Sequence, residues 1–459
     1  MKKTVAQVIL SCGLAASAMG CSGAPEESTG EDVASPLAAE STAQSAFSSA
    51  STQSCGGTPL APVTRRSVST DVAEYSFQVK VGPGAHDTIG IHRVVRERAP
   101  WVPIAAKKSL FMVHGDIWGF DTVFVGSAAS TAVPKDQSPT IFFAKNDIDV
   151  WGIDLRWVAV PPGTTDFSFM KDWNIGTHVH DIGIGLGLAR IVRGLTGSGF
   201  GQMTLLGWSR GAEMIYAYAN AEARLPASLR NVKGIIPVDV AYKFSPADDA
   251  LRQAACTRHT NEQASFNAGT FVNNTGAQVR GAGTGAKLAP DAPSPVVQGF
   301  TNRQAALFAG AMTFLIIPPP AFVPVYHFVG GQFTNNVPTG LTYTQPDYLF
   351  DFFKNASPFQ SAGDILDGDA IECNDIDVPY DDHLADIKVP VLYMGAEGGF
   401  GHFGLYTTTL LGSTDVTTHV VNLTPAPARL LDFGHADLWL SDQAPTLVWQ
   451  PIASWIASH

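Results

Sequence analysis

From about residue 75 the apolar positions of this chain fall into compact runs whose spacing changes in a regular way. Tyr75 to Val81 and Ile89 to Val95 are alternating or β-branched and flank Gly82-Pro83-Gly84, which predicts two antiparallel strands joined by a turn. Ser109 to Val113 is a continuous apolar run ending at His114-Gly115, and Val150 to Arg156 is another that ends in polar residues. Ile182 to Val192 carries apolar residues at helical spacing. Met203 to Leu206 predicts a strand that turns at Gly207 into a helix over Ala212 to Ala223, with Gly234 to Val238 as the next strand. Continuously apolar strands alternating with helices predict an α/β fold, a mostly parallel sheet covered by helices on both faces.

The alternation stops near residue 242 and resumes at Val389 to Met394, with a last strand near His419 to Leu423 and a C-terminal helix from about Pro445. Counted from Tyr75, the gap lies between the sixth and seventh strands. A stretch this long cannot be a structureless loop. Residues 242–386 are therefore expected to form a large cap over the open strand ends, with 63–241 and 387–459 as the core. Within the cap, Ala305 to Ile317 is an apolar run halted by Pro318-Pro319-Pro320 and followed by Phe322, Tyr326, Phe328 and Phe333. It is too short for a membrane span and suits a buried helix or an apolar wall over a pocket. Asp364 to Asp386 carries nine acids but lacks the glycine an EF-hand loop needs at its sixth position, so it reads as a solvated loop.

The N-terminus bears on where the protein works. Lys2 and Lys3, an apolar stretch from Val5 to Met19 and then small residues have the order of an export signal, assigned to residues 1–21. Ala18-Met19-Gly20-Cys21 resembles the lipobox of bacterial lipoproteins, in which the Cys is lipidated and becomes the new N-terminus. Ala18 stands where that pattern prefers Leu, and plain secretion after cleavage at Ala18 is the alternative. The expected location is outside the cytoplasm, as an outer-membrane lipoprotein anchored through Cys21 or as a periplasmic or secreted protein. Residues 22–62, rich in Ser, Thr, Ala, Glu and Pro, read as a disordered tether.

Composition narrows the class only a little. The chain has 459 residues, is 45% hydrophobic and carries a net charge of −12, which excludes wholesale disorder. That charge, with no cluster of Lys or Arg, argues against nucleic acid as a partner. Cys256 and Cys373 lie near the two ends of the cap, where a disulfide would close a long loop and contribute about 4 kcal/mol in the chain-entropy model. Two separately buried thiols are the alternative, and Cys55 has no assigned role.

The chemistry concentrates in Met203 to Glu213, an apolar strand, then Gly207-Trp208-Ser209-Arg210-Gly211, then a helical pattern. A sharp strand-to-helix turn exposes the Ser hydroxyl above a sheet, and glycines two residues either side leave room for it. The helix N-terminus also presents amides to a developing oxyanion. On this segment and on His114-Gly115 after the third strand, the chain resembles the α/β-hydrolase fold superfamily over residues 75–241 and 389–459. The resemblance implies Ser209 as the nucleophile and His435, in Phe433-Gly434-His435-Ala436-Asp437, as its base. It implies the backbone amides of Asp116 and Arg210 as oxyanion donors. The acid that orients the base stays open between two carboxylates. Asp239 ends the sixth strand, where some members carry the acid. Glu397 follows the seventh, one residue from the position that others use. Trp118 and Trp208 are candidates for lining the acyl pocket or for packing alone.

Weaker signals add no cofactor and no metal. His178-x-His180-Asp181, just before a predicted helix, shows no third ligand. Gly183, Gly185 and Gly187 lack the preceding strand and the spacing of a dinucleotide site, and read as small residues that let a helix pack closely on the sheet. The expected activity is hydrolysis of a small to medium hydrophobic carboxylic ester or lactone through an acyl-enzyme. An amide or peptide hydrolase with the same triad and a non-catalytic surface-binding lipoprotein are the alternatives.

Overall fold

The structure is a computed structural model that describes residues 62–316 and 323–459. The export signal, Cys21, Cys55, all but the last residue of the tether and the segment Ile317 to Phe322 lie outside the described residues.

The core is a ten-stranded sheet. Its main strands in chain order are β1 Thr64–Ser67, β2 Val72–Lys80, β3 Thr88–Ala99, β4 Lys108–Val113, β5 Ile148–Asp154, β6 Met203–Trp208, β7 Val232–Val238, β8 Val391–Ala396 and β9 Val416–Val421. Across the sheet they run β1-β2-β3-β5-β4-β6-β7-β8-β9, and the two-residue strand Val102–Pro103 pairs with the end of β3. The pairs β1–β2, β2–β3 and β3–β5 are antiparallel, and every later neighbour is parallel. The expected α/β class with a mostly parallel sheet is what the chain forms. β6 and β8 are buried at every position because helices cover both faces, which is why their sequences are continuous rather than alternating.

Two edges differ from the sequence reading. β1 is a polar Thr-Arg-Arg-Ser strand with no apolar alternation, and only its pairing with β2 makes it a strand. β9 begins at Val416 and ends at Val421, earlier than His419 to Leu423, because its register on β8 pairs Val416 with Val391. Its exposed Thr417 and Thr418 hide that start from a hydrophobicity reading. The helix α1, Ile175–Leu195, also starts earlier than expected, so His178 and His180 lie inside it rather than before it. Gly185 lets α1 settle on the sheet, where an added Cβ would meet Phe111 at 2.9 Å. The helix α2, Arg210–Glu222, follows β6.

Between β7 and β8 the chain builds α3 Asp249–Asn267, α4 Thr275–Leu288, α5 Asn302–Ala311, a small hairpin Gly331–Thr334/Val337–Leu341, α6 Pro346–Lys354 and α7 Ala362–Cys373. The run from Ala305 is not one helix: α5 ends at Ala311, and a short turn Thr313–Ile316 leaves Leu315 and Ile316 exposed. The acidic run is not a solvated loop at its start. It opens as α7, with Asp364, Asp369 and Glu372 buried. Arg258 of α3 pairs with Asp369 at 2.8 Å and with Glu372, so a distant basic residue replaces water there. A disulfide joins Cys256 of α3 to Cys373 at the end of α7. Leu307, Phe350, Phe352 and Phe353 of this segment share one apolar cluster with Met112, Leu206 and Val238 of the sheet.

Candidate active site

Ser209 occupies the turn between β6 and α2 at φ 57°, ψ −129°, a conformation that strains any side chain bearing a Cβ. The flanking glycines are a steric requirement. A Cβ on Gly207 would lie 2.1 Å from the Gly211 carbonyl oxygen, and one on Gly211 would lie 2.4 Å from the carbonyl oxygens of Val113 and His114. The end of β4 therefore presses directly on the turn. The Ser209 amide donates to Val238 O at 3.0 Å, which ties the turn to the end of β7.

His114 shapes this corner and does not face the Ser hydroxyl as a base. Leu155 N donates to its Nε2 at 3.2 Å, so the proton sits on Nδ1, which donates to Gly115 O at 2.9 Å. Burial holds this imidazole below its ordinary range, and it is neutral. Gly115 lies against the serine: a Cβ there would come within 2.8 Å of Ser209 Cβ. Asp116 follows it, so the two expected oxyanion residues, Asp116 and Arg210, flank Ser209 from the loop after β4 and from the start of α2.

His435 lies in the loop after β9, and its Nδ1 donates to Asp239 Oδ2 at 2.6 Å. Asp239 follows β7 directly at φ 49°, a left-handed conformation that Asp tolerates better than most residues. Its carboxylate accepts from the amides of Ala396 (2.9 Å), Gly401 (2.9 Å) and Phe400 (3.2 Å). The Gly-rich turn after β8 is thus a cradle for Asp239, and a Cβ on Gly399 would fall 1.9 Å from Oδ2. Glu397 stands elsewhere. Its carboxylate pairs with Arg429 at 2.5 Å and lies 3.4 Å from the His402 ring. The two expected acids therefore sit in separate networks, and the one bonded to His435 is Asp239.

Trp208 stacks on the His435 ring at 4.8 Å between centroids and donates from its indole N–H to His435 O at 3.3 Å. Trp118 is buried among Phe328, Phe352 and Phe353. Both tryptophans are packed side chains. The rings nearest His435 on its other sides are Tyr326 at 5.2 Å, Phe400 at 5.8 Å and Phe328 at 6.0 Å, and the histidine is 1% exposed.

The segment between β7 and β8 also holds the histidine loop in place. The amides of His435 and Ala436 donate to His327 O (3.1 Å) and Phe328 O (2.7 Å). Asp437 accepts from the amides of Gly330 (2.7 Å) and Gly434 (2.8 Å) and from the Thr344 hydroxyl (2.6 Å). Asp437, two residues past His435, thus ties this loop to a distant segment, a role that no local sequence pattern announces.

Burial pushes the carboxyl groups of Asp437 and Asp364 up to about 7. An unfolded Asp titrates near about 4. Between those values the folded chain holds protons that the unfolded chain has released, so stability falls as pH rises through that window. The buried neutral histidines act in the opposite sense, but only up to about pH 6.5, where an unfolded histidine loses its proton. The thermal midpoint is therefore expected to drop between about pH 6.5 and pH 8, and a midpoint that rises over that range would contradict this.

Among the described residues, the carboxylates of both histidine clusters already have protein partners. Glu74, His92 and Asp121 converge, but His92 already bonds Glu74 (2.7 Å) and Asp154 (3.0 Å), and Arg66 pairs with both Glu74 and Asp121. Against the cost of burial, the hydrogen bond and charge of His92 pull Glu74 down to about 2. The buried His178 ring is pushed down to about 3 by burial, and Asp181 is occupied by Arg156 at 2.6 Å.

No family model matches the chain, and no curated protein matches it. Solved structures do. A lipase candidate from Sulfolobus solfataricus aligns at 16% identity with a TM-score of 0.57, covering 88% of this chain and 99% of that one. Monoglyceride lipase of Saccharomyces cerevisiae aligns at 12% identity and a TM-score of 0.38, over 88% and 96% of the two chains. Naproxen esterase of Bacillus subtilis aligns at 12% and 0.39, over 87% and 92%. With the strand order above, the first of these likenesses shows the fold: the chain has the α/β-hydrolase fold.

Proposed function

We propose that this chain with an α/β-hydrolase fold is an exported serine hydrolase that cleaves a carboxylic ester or lactone through an acyl-enzyme intermediate. One observation carries the reading: Ser209 sits on a turn at φ 57° while a His435–Asp239 pair, bonded at 2.6 Å, is assembled from the end of β7 and the loop after β9 of the same sheet. A free hydroxyl is a poor nucleophile at neutral pH, and an imidazole held by a carboxylate is the kind of base such a serine requires.

In the proposed reaction His435 Nε2 takes the proton of Ser209 Oγ as Oγ bonds to the carbonyl carbon. The amides of Asp116 and Arg210 hold the tetrahedral oxyanion, each donor contributing on the order of 3 kcal/mol. Collapse expels the alkoxide, which takes the proton from His435; in a lactone it stays attached to the acyl chain. Water then attacks the acyl-enzyme with His435 again as base, and Ser209 recovers its proton. Asp239, fixed by three backbone amides, holds the imidazole in the required tautomer and balances its charge.

Residues 242–386 serve as the cap, and the rings of Tyr326 and Phe328 beside His435 favour a hydrophobic substrate. The Cys256–Cys373 disulfide fits an oxidising compartment, in keeping with an export signal over residues 1–21 and an anchor at Cys21 or free secretion. The test is a fluorophosphonate probe with peptide mapping, run beside a panel of chromogenic esters, lactones and anilides. Labelling at Ser209 with turnover of esters or lactones is the expected result. An unlabelled protein sinks the proposal, and faster turnover of anilides moves it to amide hydrolysis.

A further inference from the structure

Given that reading, the oxyanion site poses a problem. Asp116 carries a carboxylate on the same residue whose amide must hold the developing negative charge. The surroundings of that carboxylate are built rather than incidental. Arg210 Nε donates to Asp116 Oδ1 at 3.2 Å while another nitrogen of the same guanidinium donates to Glu213. Gln360, from the segment between β7 and β8, donates to the same Asp116 oxygen and also reaches Asp364 Oδ2 at 3.2 Å. The Ser361 hydroxyl donates to the other Asp364 oxygen at 2.9 Å.

Two further observations point to the same corner. α7 passes so close to Arg210 that a Cβ on Gly368 would fall 1.6 Å from a guanidinium nitrogen. Ile117, next to Asp116, is held at φ 53°, which a β-branched residue adopts only where its surroundings impose it. Its carbonyl accepts from the Ser357 amide at 2.7 Å. The loop after β4 is therefore gripped from the cap at Asp116 and at Ile117.

We infer that the Arg210 guanidinium and the Asp116 carboxylate form a clamp, completed by Gln360 of the cap, that holds the two oxyanion amides in register and cancels the Asp116 charge. Asp116 belongs to the loop after β4 and Arg210 to the nucleophile's own helix, so no covalent link sets the spacing of their amides. The two side chains are positioning groups that act through the backbone amides of their own residues. A planar guanidinium suits the task because it can bond two carboxylates at once, which a lysine ammonium does less well. The cap then governs rate as well as access, because Ser357, Gln360 and Gly368 frame the oxyanion site.

The test uses the mature full-length protein, an ester substrate and the fluorophosphonate probe. Asp116→Ala and Arg210→Met are each expected to lower kcat about 10- to 100-fold with KM within about threefold, and to slow phosphonylation in parallel. The double variant is expected to lose no more than the worse single one. Asp116→Asn, whose oxygen still accepts from Arg210, is expected to recover most of what Asp116→Ala loses. Arg210→Met strands several buried carboxylates, so if it fails to fold, the partly exposed Asp116 and Gln360→Leu carry the test. Full kcat in Asp116→Ala, a loss confined to KM, or an Asn variant as slow as the Ala variant overturns the clamp. Hydrolysis that survives Ser209→Ala overturns the reading of the site and the clamp with it, whereas an inactive Ser209→Ala beside a fully active Asp116→Ala overturns the clamp alone.

Discussion

Replacing Ser209 by Ala is expected to cut kcat on an ester substrate by about 10⁵- to 10⁶-fold and to abolish fluorophosphonate labelling. The size of the effect follows from the role proposed for the hydroxyl, since without it no covalent intermediate forms and only binding and the oxyanion donors remain. The fold should be unaffected. Alanine at φ 57° has the same Cβ as serine and carries the same backbone strain, and the tie from the residue 209 amide to Val238 O is kept. The thermal midpoint is therefore expected to match the parent, which separates loss of chemistry from loss of structure. A variant that keeps more than about 1% of parent turnover would place the nucleophile elsewhere.

Asp239→Asn is expected to cost about 10⁴-fold in kcat, a figure borrowed from the corresponding change in serine proteases. The carboxylate accepts from three backbone amides and from His435 Nδ1. A carboxamide has one oxygen, and the Ala396 and Gly401 amides converge where Oδ1 stands. Its NH2 would then face His435 Nδ1 and drive the imidazole proton to Nε2, the wrong side for accepting a proton from Ser209. Glu397→Gln, which breaks only the pairing with Arg429 and His402, is expected to change kcat by less than about tenfold. The reverse ranking of these two variants would transfer the orienting role to Glu397.

The legible parts of the chain are those written in local patterns. The strand, Gly-x-Ser-x-Gly turn and helix around Ser209 can be read because the elements are adjacent in sequence and each glycine answers a clash within that turn or with the end of β4. β1 could not be read. Its Thr-Arg-Arg-Ser sequence has no strand pattern, and β2 supplies the reason it is extended. The acidic run misled for a related reason. Charge density along the chain says nothing of Arg258 and Arg210, which reach Asp369, Glu372 and the Asp364 corner from other helices. The two candidate acids show the limit most clearly. Asp239 and Glu397 both end parallel strands, and what separates them is which one the turn Gly398-Gly399-Phe400-Gly401 wraps with amides.

The sequence by itself determined the α/β class, the place where the sheet is interrupted, and the serine's presentation on a strained turn. These depend on periodicity and on contacts between near neighbours in the chain. The tertiary structure decided the acid bonded to His435, the partners of the buried charges, and the way the segment between β7 and β8 grips the loops bearing Asp116 and His435. Each of these is a hydrogen bond or ion pair between groups that only the folded sheet brings together, and local patterning carries no trace of a partner that distant.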